Sequence, residues 1–76
     1  MKKDIKYLVV HNDEIHSINE ITYAFVEIIG MNPHQALQCA ELIHNSGKYS
    51  VKSGKQKELE FHQKVLEQLN IKSTIE

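Results

Sequence analysis

Apolar and polar positions change rhythm several times along the chain, and each change marks an element. Ile5 to Val10 is rich in β-branched and aromatic residues, which predicts a strand. His11-Asn12-Asp13-Glu14 ends it with polar, turn-forming residues. The period then lengthens: Ile18, Ile21, Phe25 and Ile28 recur at helical spacing. Ser17 with Glu20 forms a capping box ahead of them. The serine oxygen takes a free helix N–H and the glutamate returns to the cap. Gly30 closes this helix.

A second helix opens with Asn32 as cap and Pro33 in the first turn, where the missing N–H costs nothing. Ala36, Cys39, Ala40 and Ile43 form its apolar face, and the small residues among them let a neighbour approach closely. Gly47 ends it. Lys48 to Lys52 alternates, with Tyr49 and Val51 on one face, as a short strand does. Ser53 with Gln56 predicts a second capping box, opening a helix that carries Leu59, His62, Val65, Leu66 and Leu69. Ile71, Ser73 and Ile75 alternate with Lys72 and Thr74 as a last strand. The order β-α-α-β-α-β predicts an α+β fold, a three-stranded antiparallel sheet with three helices packed on it. That arrangement buries one stripe of each helix and one face of the sheet. No linker or repeat interrupts the chain. One domain over residues 1–76 is expected, with no separate N-terminal extension of useful length.

A chain of 76 residues supports one modest core. Cys39 is the single cysteine, so neither an intrachain disulfide nor a cysteine-built zinc site can form; a reducing, cytoplasmic setting is expected. The apolar run Ile5–Val10 is too short for a membrane span or a signal peptide and is broken by Lys6. A net charge of −1, mixed along the chain, argues against nucleic acid, which needs a basic patch.

The densest polar cluster is His11, Asn12, Asp13, Glu14 and His16. A turn followed by a helix start accounts for it, since carboxylates are favoured near a helix N-terminus. His44 sits at the edge of the second helix's apolar stripe, where a half-buried histidine is ordinary. Five histidines raise the question of zinc, yet no two have the i,i+4 spacing of a metal-binding helix. Asp13, Glu14 and His44 could form a base dyad, but no serine stands in a nucleophile context and Cys39 lies on an apolar face. No glycine-rich phosphate loop is present. Neither an enzyme nor a cofactor is expected.

Four segments together carry a resemblance: Val10-His11-Asn12-Asp13-Glu14, then Gly-Met with a Pro-started helix, then Ile43-His44-Asn45-Ser46-Gly47-Lys48, and a closing Ser73-Thr74-Ile75-Glu76. In this order and register, over about residues 7 to 76, they resemble the ClpS family. The resemblance implies a fold like the C-terminal domain of the ribosomal stalk protein. It also implies an adaptor that recognises proteins whose first residue is large and apolar, and hands these N-degron substrates to a Clp-type AAA+ ATPase. By resemblance, Asn12, Asp13 and His44 hold the ligand's α-amino group. His16, Ile18, Ile21, Ala40, Ile43 and Ile71 line the pocket for its first side chain.

The chemistry of these residues suits that role. An N-terminal ammonium offers three donors and a charge, and needs acceptors with an anion among them. Asn12 offers an amide oxygen, Asp13 a carboxylate and His44 a ring nitrogen when neutral. An apolar slot beside them would bury one large side chain, worth about 1.5–3 kcal/mol. Against the family pattern, His16, Ser17 and Ile18 stand where threonine, proline and methionine are usual, and Ala40 stands where methionine is common, which implies a roomier slot. Lys55-Gln56-Lys57 replaces a Thr-x-Glu stretch used to dock on the ATPase, and His62 replaces a lysine. A second class of function remains open: the same fold recognising an internal segment or one dedicated partner.

Overall fold

The computed structural model describes residues 4–76. Strand β1, Lys6–His11, is central in a three-stranded antiparallel sheet of order β2-β1-β3. Helix α1, Ile18–Ala24, continues directly into a π-helical turn, Phe25–Ile29. Helix α2 spans Pro33–Ser46, β2 Lys48–Gly54, α3 Gln56–Gln68 and β3 Ser73–Ile75. The helices cover one face of the sheet, as the apolar periodicities require.

The core follows from those periodicities. Leu8 and Val10 of β1 meet Phe25, Leu59 and Leu66, all fully buried. Ala36, Cys39, Ala40 and Ile43 turn the small-residue face of α2 onto α1. Truncating one of the fully buried leucines to alanine would cost about 2–5 kcal/mol.

The helix signals are realised with two exceptions. The first capping box forms: Glu20 N–H donates to Ser17 Oγ at 3.2 Å, and Ser17 N–H donates to Glu20 Oε1 at 2.8 Å. Asn32 caps α2 through Gln35 N–H at 2.8 Å. The second capping box does not form. Ser53 is held in β2 opposite Tyr7, so the chain is still extended there, and α3 starts after Lys55 with no side-chain cap. Gln56 instead donates to Glu60 Oε2, one turn on. The second exception is Leu69, expected on the apolar face of α3. It lies past the helix end and is 46% exposed, because Asn70 turns left-handed at φ 63° and redirects the chain toward β3.

The last turn of the first helix widens into π geometry, with Gly30 N–H reaching back to Phe25 O at 3.0 Å. It seats Phe25 in the core and ends at Gly30, whose φ of 90° suits glycine.

Candidate binding pocket

The loop between β1 and α1 is pinned by backbone bonds to two distant elements. His11 N–H donates to Lys72 O at 3.0 Å, and Asn12 N–H donates to Gly47 O at 2.8 Å. Gly47 has φ 95° and closes α2 by donating to Ile43 O. The second bond therefore sets Asn12 beside the last turn of α2, which carries His44. A side-chain bond adds to this. Thr74 donates its hydroxyl proton to Glu76 Oε2 at 2.9 Å, so its oxygen accepts from His11 Nε2, also at 2.9 Å.

Asp13 organises the loop that follows. Its Oδ1 accepts the backbone N–H groups of Ile15 and His16 at 2.9 and 2.8 Å, an Asx-type turn. Its Oδ2 accepts from His16 Nδ1 at 2.9 Å. The other ring nitrogen, Nε2, donates to the Leu69 carbonyl at 2.8 Å. Leu69 is the C-cap of α3, where carbonyls lack intrahelical partners and a cation is favoured.

These contacts move both pKa values. Burial works to raise that of Asp13, but the backbone N–H of His16, its ring and the N–H of Ile15 outweigh it and hold the carboxyl below its ordinary value. His16 is pushed up, chiefly by its bond to Asp13, against opposing desolvation and with help from Leu69 O and the negative charges of Asp13 and Glu20. Asp13 is thus an anion with its orientation already set.

The structure brings eight of the nine candidate residues to one cavity: Asn12, Asp13, His16, Ile18, Ile21, Ala40, Ile43 and His44. His11 and Ser17 complete its wall; the sequence marked them as part of the polar cluster and as a helix cap, and gave neither a place in the pocket. The polar groups come from the β1–α1 loop and the end of α2. The apolar groups come from the facing sides of α1 and α2, where Ile21, Ala40 and Ile43 are buried and Ile18 is half-buried. Ile71 is buried but lies elsewhere, in a groove on the other side of His16. The cavity encloses about 250 Å³ counted out to open solvent. The part that the centre of a water molecule can reach is only about 10 Å³, and this smaller figure decides what fits. It matches the least volume that holds one water.

Among the described residues, no three His, Cys, Asp or Glu side chains converge as metal ligands, and no helix is long and apolar enough to cross a membrane. Burial pushes the Cys39 thiol up, away from the reactive thiolate.

The family model for ClpS, the ATP-dependent Clp protease adaptor protein, matches residues 2–74. The chain belongs to the ClpS family. This is a family of adaptors and not of enzymes. No curated protein sequence matches the chain. Among solved structures, it is similar to Agrobacterium tumefaciens ClpS2 bound to L-phenylalaninamide, at 15% identity and a TM-score of 0.90. The match covers 95% of this chain and 94% of that one. At this identity the likeness establishes the ClpS fold: a three-stranded antiparallel sheet of order β2-β1-β3 with its three helices.

Proposed function

We propose that this ClpS-family adaptor binds the N-terminus of substrate proteins, choosing a large apolar first residue, and presents them to a Clp-type ATPase. One observation carries the reading. The acceptors for an ammonium, on Asn12, Asp13 and His44, line the same cavity as the apolar side chains of Ile18, Ile21, Ala40 and Ile43. A first residue is the one place in a protein where a free ammonium and a side chain share a carbon atom. A cavity with an anionic polar end and an apolar end meets both needs at once. Phenylalaninamide, the ligand of the similar Agrobacterium structure, joins a free amine to an apolar ring in the same way.

The carboxylate supplies affinity in two ways. It cancels the charge of the incoming ammonium, and it is already oriented by Ile15 and His16, so little ordering is needed on binding. His44 and Asn12 are exposed, and a bound N-terminus would desolvate them together with its own ammonium. Such a site rejects a blocked amine, because acetylation removes the charge and most of the donors.

The test is a panel of short peptides that differ only in residue one: leucine, phenylalanine, tryptophan, alanine and aspartate. Affinity is read by fluorescence anisotropy at pH 8. Leucine or an aromatic residue should bind at least about tenfold more tightly than alanine or aspartate, the scale of one buried apolar side chain. Equal affinity across the panel would contradict the proposal and favour recognition of an internal segment. Delivery is read separately, by adding an ATPase and peptidase of the Clp type and following degradation of the bound substrates.

A further inference from the structure

The slot between α1 and α2 has room for little more than a water molecule, yet the groove beside it is open. That groove is lined by Tyr23 and Ala24 of α1 and by Leu69 and Ile71 of the α3–β3 turn. Water centres reach about 440 Å³ there, against about 10 Å³ in the slot. One residue, His16, lines both spaces. Its ring stands between them, held at both nitrogens by Asp13 Oδ2 and the Leu69 carbonyl.

Both partners of the ring are acceptors, so both ring nitrogens must donate, and only the imidazolium satisfies the pair. A neutral ring keeps one bond and loses the other. Oδ2 of Asp13 is also the carboxylate oxygen with an acceptor position left, since Oδ1 already takes two N–H groups. An ammonium arriving at that free position stands beside the His16 imidazolium on the same oxygen, cation next to cation, which disfavours the protonated ring.

We infer that the His16 ring is a gate that sets which first residues this adaptor accepts: held by Asp13 and Leu69 it closes the slot, and displaced it joins the slot to the groove over Ile71. The inference rests on the proposed seating of the first side chain in the slot. A ligand ammonium on Oδ2 expels the His16 proton to solvent. The neutral ring is then tied at one nitrogen only and can turn aside, and a bulky side chain reaches past it to Ile71. The raised pKa of His16 agrees with a closed, protonated gate in the free protein. The charged or titratable groups that line the two spaces with His16 are Asp13 in its own loop, Glu20 and Tyr23 on α1, His44 on α2 and His11 at the end of β1; of these, Asp13 and Glu20 act on the ring's charge.

The test compares wild type, His16→Ala and His16→Gln, each as the full chain and each checked by circular dichroism. The probes are free-amine peptides starting with leucine or tryptophan, free of other ionisable side chains, titrated from about pH 5.5 to 8.5. In wild type, affinity should fall toward about tenfold per pH unit on the acid side, the limit for one expelled proton. In His16→Ala the tryptophan peptide should gain about tenfold relative to the leucine peptide, because the neutral ring's one remaining hydrogen bond has to open only for the bulkier side chain. The acid fall should flatten in both variants. An unchanged tryptophan-to-leucine ratio together with an unchanged acid fall would overturn the gate. Should His16→Ala not fold, NMR titration of the His16 ring in wild type decides: its pKa must drop when peptide binds, and an unmoved pKa overturns the gate. If wild type binds neither peptide at pH 8 while His16→Ala binds both, the gate stands in its strongest form. If neither protein binds, the proposed function fails and takes the gate with it. If wild type binds with an acid fall that both His16 variants keep unchanged, the gate alone fails.

Discussion

Replacing Asp13 by asparagine separates charge from geometry in the proposed pocket. Asn keeps an oxygen where Oδ1 stands, so the N–H groups of Ile15 and His16 retain their acceptor and the turn survives. It puts an NH₂ where Oδ2 stands, facing His16 Nδ1 and the position proposed for the ligand ammonium. The ligand loses one charge-assisted hydrogen bond, worth about 1.5–3 kcal/mol. That corresponds to a rise in Kd of about 10- to 150-fold. The loss should sit at the upper end, because Asp13 is only 21% exposed in its side chain and solvent screens it weakly. Anisotropy with a leucine-first peptide measures the effect, and an acetylated peptide gives the baseline. The free-amine peptide should fall toward that baseline while the baseline itself stays put. Near-identical Kd values for Asp13→Asn and wild type, with matching circular dichroism, would refute the assignment of Asp13 as the anion that holds the α-amine.

Two further outcomes follow from the same geometry. Ala40→Met places a longer side chain in a slot with about 10 Å³ of reachable space, so peptide binding should weaken by about 1–3 kcal/mol. The loss should be larger for tryptophan or β-branched first residues than for leucine, and an equal loss across all of them would mean that Ala40 faces only the core. The Asp13–His16 bridge gives a pH signature in stability. The raised His16 value makes its contribution complete below the ordinary 6.5 and lost as pH rises through the folded value. The lowered Asp13 value makes its contribution complete above the ordinary 3.8 and lost as pH falls through the folded value. The Tm advantage of wild type over His16→Gln should thus be greatest between about pH 4 and 6.5 and shrink toward pH 9. A partly exposed pair is worth up to about 1 kcal/mol, or about 4–8 °C in a chain of this size. A Tm difference that stays constant from pH 4 to 9 would remove the bridge from the account.

Periodicity and caps made most of the fold legible. Ile18, Ile21, Phe25 and Ile28 fall on the buried or half-buried side of the first helix, and Ala36, Cys39, Ala40 and Ile43 are the buried residues of α2. Local pattern failed where pairing or turn geometry overrode it. Ser53 has the spacing of a cap, but its opposite number Tyr7 keeps it in a strand. Leu69 continues an apolar stripe, but Asn70 turns the chain before it can pack. The same balance holds in the candidate pocket. Asn12, Asp13 and His44 were visible as polar residues at matching positions, and the Asn12–Gly47 backbone bond brings the two segments together. The partnership of His16 with Asp13 and Leu69 was not visible, because Leu69 lies 53 residues away and a lone histidine after a turn carries no sign of a carbonyl at that distance. Ile71 was assigned to the slot through the family resemblance. Only the position of the His16 ring shows that it lines the adjoining groove.

The most direct measurement of the central claim uses two peptides of the same sequence, starting with leucine, one with a free N-terminus and one acetylated. Isothermal titration at pH 8 gives both affinities on the same protein preparation. If Asn12, Asp13 and His44 hold an α-amine, acetylation should weaken binding by about 100-fold or more, because the anion and its neighbours lose their charged partner and remain desolvated. Equal affinity for the two peptides would contradict the claim.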